Sequence, residues 1–150
     1  MPQVIKDIED AILARLEPLK AQFPRLTVRP YQHELDEGDV LRLAGYAPAL
    51  LPVYSGSRES GPANLRAEAM TWTVFVLARS FREGEASRGG PDQSGAYALL
   101  EAVNAALAGQ ELFPDLTPVV REQQQAVAFA QGLAMYAATY SMKQHHMPLF

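Results

Sequence analysis

The sequence has no cysteine, only three histidines and a single tryptophan among its 150 residues. Without cysteine there can be no disulfide, thiol nucleophile or Cys-based zinc site. No apolar run reaches the roughly 18 residues that a membrane-spanning helix needs. The opening segment MPQVIKDIEDAI alternates charge with isoleucine, unlike the basic and then apolar order of a signal peptide. We therefore expect a protein made in a cytoplasm, with no membrane partner, whose stability comes from packing or association.

The sequence also has no local concentration of positive or of negative charge. The 13 basic and 17 acidic residues give a net charge of -4, with no block of five like charges and no Lys/Arg cluster. This pattern argues against tight binding to a nucleic acid backbone. With 48% hydrophobic residues, a chain of this length is predicted to form one domain, 1–150, with a flexible tail at 144–150.

Two amphipathic helices are predicted from apolar residues at helical spacing. The first begins near Val4 and is expected to close near Glu17, because Pro18 lacks the N–H that a helix interior needs. The second covers GAYALLEAVNAALAGQ, with Asp92 or Ser94 as its cap and Gly109 as a left-handed stop.

Five strands are predicted around these helices. Met70 to Phe81 has apolar side chains on both faces, so it is expected to be central. It should need a helix on one side and another layer or another subunit on the other. The strand in PALLPVYSGS carries two prolines, which favours a sheet edge or a bulge. The loop SRESGPANLR should follow it as a hairpin, and HELDEGDVLRLAG reads as a polar loop with weak helix. The other strands are LTVR, roughly Val119 to Ala130, and Gly132 to Lys143.

The predicted fold class is therefore α+β. A mainly antiparallel sheet would carry the two main helices on one face, in the order α-β-β-β-α-β-β.

The last third of the chain is unusually poor in charge. Between Leu116 and Phe150 only Arg121, Glu122 and Lys143 are charged, whereas a monomer usually protects its edge strands with charge. Tyr and Met enrichment combined with charge depletion is typical of an interface core. We therefore predict a subunit contact through this hairpin, with a sheet buried wholly within its own domain as the alternative. The five candidate interface residues are Leu133, Met135, Tyr136, Tyr140 and Met142.

No constellation of residues in the sequence resembles a catalytic, cofactor or metal site. His145 and His146 are adjacent, so their rings would diverge, whereas metal ligands must converge. The serines of SGS lack the G-x-S-x-G elbow, and RGGPDQSG lacks the Lys-Ser/Thr pair of a phosphate-binding loop. A small-molecule enzyme stays open as an alternative only through His33 with Asp36.

The segment ARSFREGEASRGGPDQSGAYALLEAVNAALAGQ resembles the strand, loop and helix of tail terminator proteins from Mu-like phages. The opening amphipathic helix and the closing strand LAMYAATYSM fit the same pattern. The resemblance covers about two thirds of the chain and excludes Tyr31 to Tyr46 and the tail after Lys143. The matching residues are Ala78, Arg79, Ser80, Gly89, Gly90, Gly95, Ala96, Tyr97, Leu100, Leu107 and Gly109.

This resemblance implies a virion structural protein and not an enzyme. Six copies are expected to form a ring at the top of the tail, below the head connector. The ring would sit on the tail tube protein, stop tail polymerisation and offer a surface to head–tail connector proteins. DNA would pass through its lumen without specific binding, as an acidic subunit favours.

The polar loop Arg82 to Ser94 is predicted to contact the tail or connector. Its candidate contact residues are Arg82, Glu83, Glu85, Arg88 and Asp92. Another head–tail connector or neck protein of the same virion stays open as an alternative function.

Overall fold

A computed structural model describes residues 4–31, 45–63, 65–80, 85–89, 95–130 and 132–145. The polar loop predicted between Tyr31 and Tyr46 lies mostly outside these residues. The helices are α1 (Ile5–Leu16), α2 (Glu85–Arg88) and α3 (Ala96–Leu107), with a 3-10 turn at Glu17–Ala21 after α1. The strands are β1 (Thr27–Val28), β2 (Ala49–Ser60), β3 (Ala67–Arg79), β4 (Val120–Ala130) and β5 (Leu133–His145).

The five strands form one sheet in the order β1-β2-β3-β5-β4. The short strand β1 runs parallel to β2, and the three other neighbouring pairs are antiparallel. The predicted α+β class, the mainly antiparallel sheet and its two main helices are confirmed.

The central position of β3 follows from its two apolar faces. Trp72, Val74 and Val76 point to one face and are completely buried, whereas Leu77 is equally buried on the other. Strands β2 and β5 flank β3 over most of its length, so its backbone groups are paired on both sides. The prediction of a central strand is confirmed, and Trp72 is a core residue.

Helices α1 and α3 cover the same face of the sheet. Ile8 and Ile12 of α1 share one buried cluster with Leu99 and Val103 of α3 and with Trp72 of β3. The first helix ends at Leu16, and Pro18 follows within the 3-10 turn, in agreement with its expected effect. After α3, Gly109 adopts φ +78°, which is the predicted left-handed stop.

The opposite face of the sheet carries a smaller apolar cluster. Leu51, Leu77, Leu133 and Met135 are buried there, and the ring of Tyr31 lies 4.6 Å from that of Phe75. Towards the other end of β3, the side chains of Thr71 and Thr73 are only partly buried on this face. The described chain therefore covers one half of the second face better than the other.

Pro52 in β2 and Pro48, just before β2, lie where their missing N–H groups do not interrupt the pairing with β3. The carbonyls of Pro48 and Pro52 accept hydrogen bonds from the N–H groups of Thr27 and Tyr31, at 3.0 Å each. The N–H and C=O of one strand residue point to the same side, so a proline here lacks a donor only on the β1 side. The predicted bulge is also present, because the register of β2 shifts between Tyr54 and Gly56.

Three sequence predictions need correction. Both strands of the first hairpin extend into the expected loop: β2 continues to Ser60, and β3 begins at Ala67. The reason is that Glu59 and Glu68 still pair with each other. The residue that precedes α3 is Gly95, which has no side chain to cap the helix; Asp92 and Ser94 lie outside the described residues. Strand β5 includes Gln144 and His145, the first two residues of the expected tail, and Gln144 is buried.

Gly95 is predicted to tolerate alanine less well than Gly109. A Cβ at Gly95 would meet the backbone nitrogen of Gly89 and the carbonyl oxygen of Ser87, whereas one at Gly109 would meet nothing within 4 Å. Gly109→Ala should cost about 1–2 kcal/mol from its positive φ alone. Gly95→Ala should cost about 3 kcal/mol, because backbone must move. Urea unfolding measures both, and an equal or smaller loss for Gly95→Ala would contradict this close backbone approach.

Candidate assembly surface

Strand β4 is a long, exposed edge strand with little charge. It is the last strand of the sheet, and every side chain from Val120 to Ala126 is exposed. Arg121 and Glu122 are its only charged residues, and Val120 keeps 53% of its surface exposed. Natural edge strands are usually short, charged or covered, because their unpaired backbone groups can bind a further strand. Within the described chain, β4 has neither cover nor a strong charge barrier.

Two irregularities shape this edge. The register between β4 and β5 shifts between Arg121 and Gln123 and again between Ala126 and Ala128. At the first shift, the hydroxyl of Ser141 donates a 2.5 Å hydrogen bond to the Glu122 carboxylate. Bulges increase the local twist and re-aim side chains. They therefore favour a partner with a matching twist over indiscriminate stacking.

An aromatic cluster lies beside the hairpin end of β4. The ring of Tyr136 lies 5.7 Å from Phe129 and 6.0 Å from Tyr97, in edge-to-face contacts. Phe129 is 60% exposed and Tyr97 49%, so the cluster forms part of the surface. The Tyr136 hydroxyl lies 3.0 Å from the Ser87 hydroxyl of α2. The same Tyr136 hydroxyl raises the pKa of Tyr97, chiefly through a hydrogen bond. Exposed aromatic groups fixed in this way are typical of contact surfaces.

The five predicted interface residues lie on β5, between β3 and β4. Leu133, Met135, Tyr140 and Met142 are at most 2% exposed. Burial within their own subunit accounts for their apolar character, and such side chains cannot reach a second subunit while the fold is intact. Tyr136 is the partly exposed member, and its neighbour Phe129 extends the surface that it begins. The candidate surface is therefore β4 with the cluster of Tyr97, Phe129 and Tyr136.

Few of the predicted loop residues fall within the described chain. Arg82, Glu83 and Asp92 lie outside it, and Glu85 is described only as the first residue of α2. Arg88, at the end of α2, is exposed and close enough to Tyr97 for its charge to lower the tyrosine's pKa, against the larger upward effects. The structure thus brings Arg88 to the aromatic cluster.

The chemical candidates of the sequence are not assembled into a reactive site in the described residues. Ser55 shares a 2.6 Å hydrogen bond with Thr73, and Ser57 donates one to Glu68. His33, Asp36 and His146 lie outside the described chain, and the side chain of His145 is not described either. Within it, no group of three or more His, Asp or Glu residues is placed to hold a metal ion.

A family model described as "Bacteriophage Mu, Gp37" matches residues 4–145. The chain belongs to this family. The match to the Gp37 family covers both main helices and all five strands, which confirms the Mu-like phage origin that the sequence resemblance implied. None of the curated proteins matches the chain. Across the described part of this Gp37-family protein, no helix is long and apolar enough to cross a membrane.

Tyr140 is predicted to make folding sensitive to strongly alkaline pH. It is 1% exposed, and its hydroxyl has no hydrogen-bond partner among the described residues. Desolvation raises its pKa from 10.0 to about 12, against a smaller lowering by Arg121. Between pH 10 and 12 the unfolded chain loses this proton first, so stability should fall as pH rises through that window.

Tyr140→Phe should remove the part of the pH dependence of stability that comes from the Tyr140 hydroxyl. At pH 7 the variant should match the wild type or gain about 1 kcal/mol, because it buries no unpaired hydroxyl. Urea unfolding at pH 7 to 11.5 measures the effect, with Tyr46→Phe as the control for loss of one tyrosine. Identical slopes for Tyr140→Phe and the wild type above pH 10 would contradict it.

Proposed function

We propose that this Gp37-family protein forms a ring that caps the phage tail tube. The ring ends tail polymerisation and provides the surface to which the head connector joins. The observation that carries the proposal is the long, exposed, charge-poor edge β4 beside the cluster of Tyr97, Phe129 and Tyr136, in a Mu-like phage protein. Such a surface suits a structural subunit that must associate.

A ring needs two different patches on each subunit that meet around a closed rotation. The surface of β4 supplies one patch. The second must lie elsewhere on the domain, because a patch that binds itself closes a twofold dimer and leaves no ring. The sequence resemblance implies six copies.

The charge of the subunit suits passage of DNA through the ring. With a net charge of -4 per chain, a closed ring is strongly acidic and repels phosphate. The three consecutive residues Gln123, Gln124 and Gln125 on β4 are exposed and carry no positive charge that would hold DNA. Duplex DNA therefore moves through without specific binding.

Another connector or neck protein of the same virion is the second candidate. The same edge strand would serve it, since both functions need a self-associating subunit. The two differ in the axial partner: the proposed cap binds the end of a tail tube, whereas a head-completion protein binds the head.

Light scattering and negative-stain imaging of the purified protein test the proposal, with and without Mu-like tail tubes. We expect a ring whose mass is a multiple of 16.5 kDa, about six subunits, and density at one end of each tube. Tubes should also stop lengthening when the protein is added. A strict monomer that never caps a tube would contradict the function, and binding to heads alone would favour the neck protein.

Arg88 is predicted to contribute to the axial contact. It is exposed in the described part of the Arg82–Ser94 loop, next to the aromatic cluster. Arg88→Glu should weaken tube capping by about 1 kcal/mol, about fivefold, through slower encounter. Lys6→Glu makes the same change of net charge on α1, where Lys6 forms an exposed ion pair with Asp10, and is the matched control. Equal capping by the two variants would show that Arg88 takes no part in the axial contact.

A further inference from the structure

The open side of β4 presents backbone groups that β5 does not use. The N–H of Ser80 donates to the carbonyl of Gly132, in register with the β3–β5 ladder, so even-numbered residues of β5 bond to β3. Ala138 is one of them, and its partner on the other side is Gln124. The N–H and C=O of Gln124 therefore point away from β5, to the open edge. By the same alternation, those of Arg121, opposite Tyr140, do so as well.

A second open edge lies on the far side of the sheet. Strand β1 pairs with β2 at Ala49 and Leu50, and within the described residues the last backbone bond from that side reaches Pro52. No other strand of the described chain lies beside the remainder of β2. Beyond its bulge, Ser57 and Glu59 alternate with the residues that bond to β3, so their backbones face outward. Their side chains are exposed.

The strand directions suit a contact between these two edges in successive copies. Strands β2 and β5 run one way, and β3 and β4 run the other. A rotation about an axis parallel to the strands keeps the direction of β2 in the neighbour. Strand β4 of one copy and β2 of the next would then be antiparallel, which is a favourable pairing for added strands.

The two edges also match in charge. Suppose that Gln124 of one copy lies opposite Ser57 of the next copy. Because Glu122 is an extra residue in the bulge of β4, Arg121 then lies opposite Glu59 of that next copy. Arg121 lies opposite Tyr140, so its side chain is on the helix-covered face of the sheet. Glu59 lies opposite Glu68, which in turn lies opposite Gln144, and its side chain is on the same helix-covered face. Opposite charges that face each other across paired strands stabilise the pairing. Glu59 lies 3.4 Å from Arg66 in its own subunit and remains half exposed.

We propose that neighbouring copies of this protein join by backbone pairing of β4 with the outer edge of Tyr54–Ser60 on β2. This contact continues the sheet from subunit to subunit. It is heterologous, so it supplies the two different patches that a ring requires. The inference rests on the proposed ring, and it names the segments that close it.

A proline at Gln124 tests the backbone contact. Proline removes an N–H that faces the open edge, and it leaves the bonds of β4 to β5 in place. We expect Gln124→Pro to lower the association constant of the full-length protein by about tenfold or more, measured by light scattering over a concentration series. Gln124→Ala keeps the N–H and should associate like the wild type. Circular dichroism and thermal unfolding check that both variants are folded.

A charge exchange provides a second measurement if Gln124→Pro is unfolded. Arg121→Glu and Glu59→Arg should each weaken association, since each places like charges opposite one another. The double variant should associate more tightly than either single one. A double variant no tighter than the single variants would overturn the proposal.

The wild type separates failure of this inference from failure of the proposed function. Wild-type rings together with unimpaired association of Gln124→Pro would overturn the β4–β2 contact and leave the ring intact. A wild type that is monomeric with and without tail tubes would overturn both.

Discussion

The apolar character of both faces of β3 is the constraint on which the rest of the fold depends. A strand with Trp72 and Val74 on one side and Leu77 on the other has to be flanked by strands and covered on both faces. Helices α1 and α3 cover the Trp72 face, and the cluster around Leu51 and Met135 covers part of the other. With β2 and β5 beside β3, strand β4 is left at the edge. The exposed surface of this protein is thus a consequence of how its core is filled.

Local patterns in the sequence were sufficient to predict the two main helices, the fold class and the central strand. Apolar spacing is a property of a single element, and Pro18 and Gly109 act on the backbone at their own positions. The boundaries of the first hairpin were less accurate, because pairing between Glu59 and Glu68 extends strands through residues with weak strand preference. The residue that caps α3 could not be predicted from the sequence either. Gly95 stands there because the backbone of Ser87 and Gly89 leaves no room for a side chain.

The assembly surface shows where sequence patterns stop being informative. Uncharged strands look alike whether they lie between two other strands or at the margin of a sheet. Tyr140 and Met142 are buried because β5 lies inside the sheet, whereas Phe129, on the edge strand β4, is exposed. Strand order distinguishes the two cases, and it depends on long-range pairing that no short window contains. Within the hairpin, the residues most typical of an interface were the buried ones.

Pro52 in β2 and Pro48, just before it, make the two halves of this strand unequal. At Pro48 and Pro52 the side facing β1 offers carbonyls but no N–H groups, whereas Ser57 and Glu59, past the bulge, keep both. Of the outward-facing residues in the first half, Leu50 alone separates the two prolines, so two donors are missing there, whereas the second half has a donor and an acceptor at each outward residue. One half of β2 is therefore closed to a further strand by β1 and by its missing donors, whereas the other half keeps the donors and acceptors that a further strand needs.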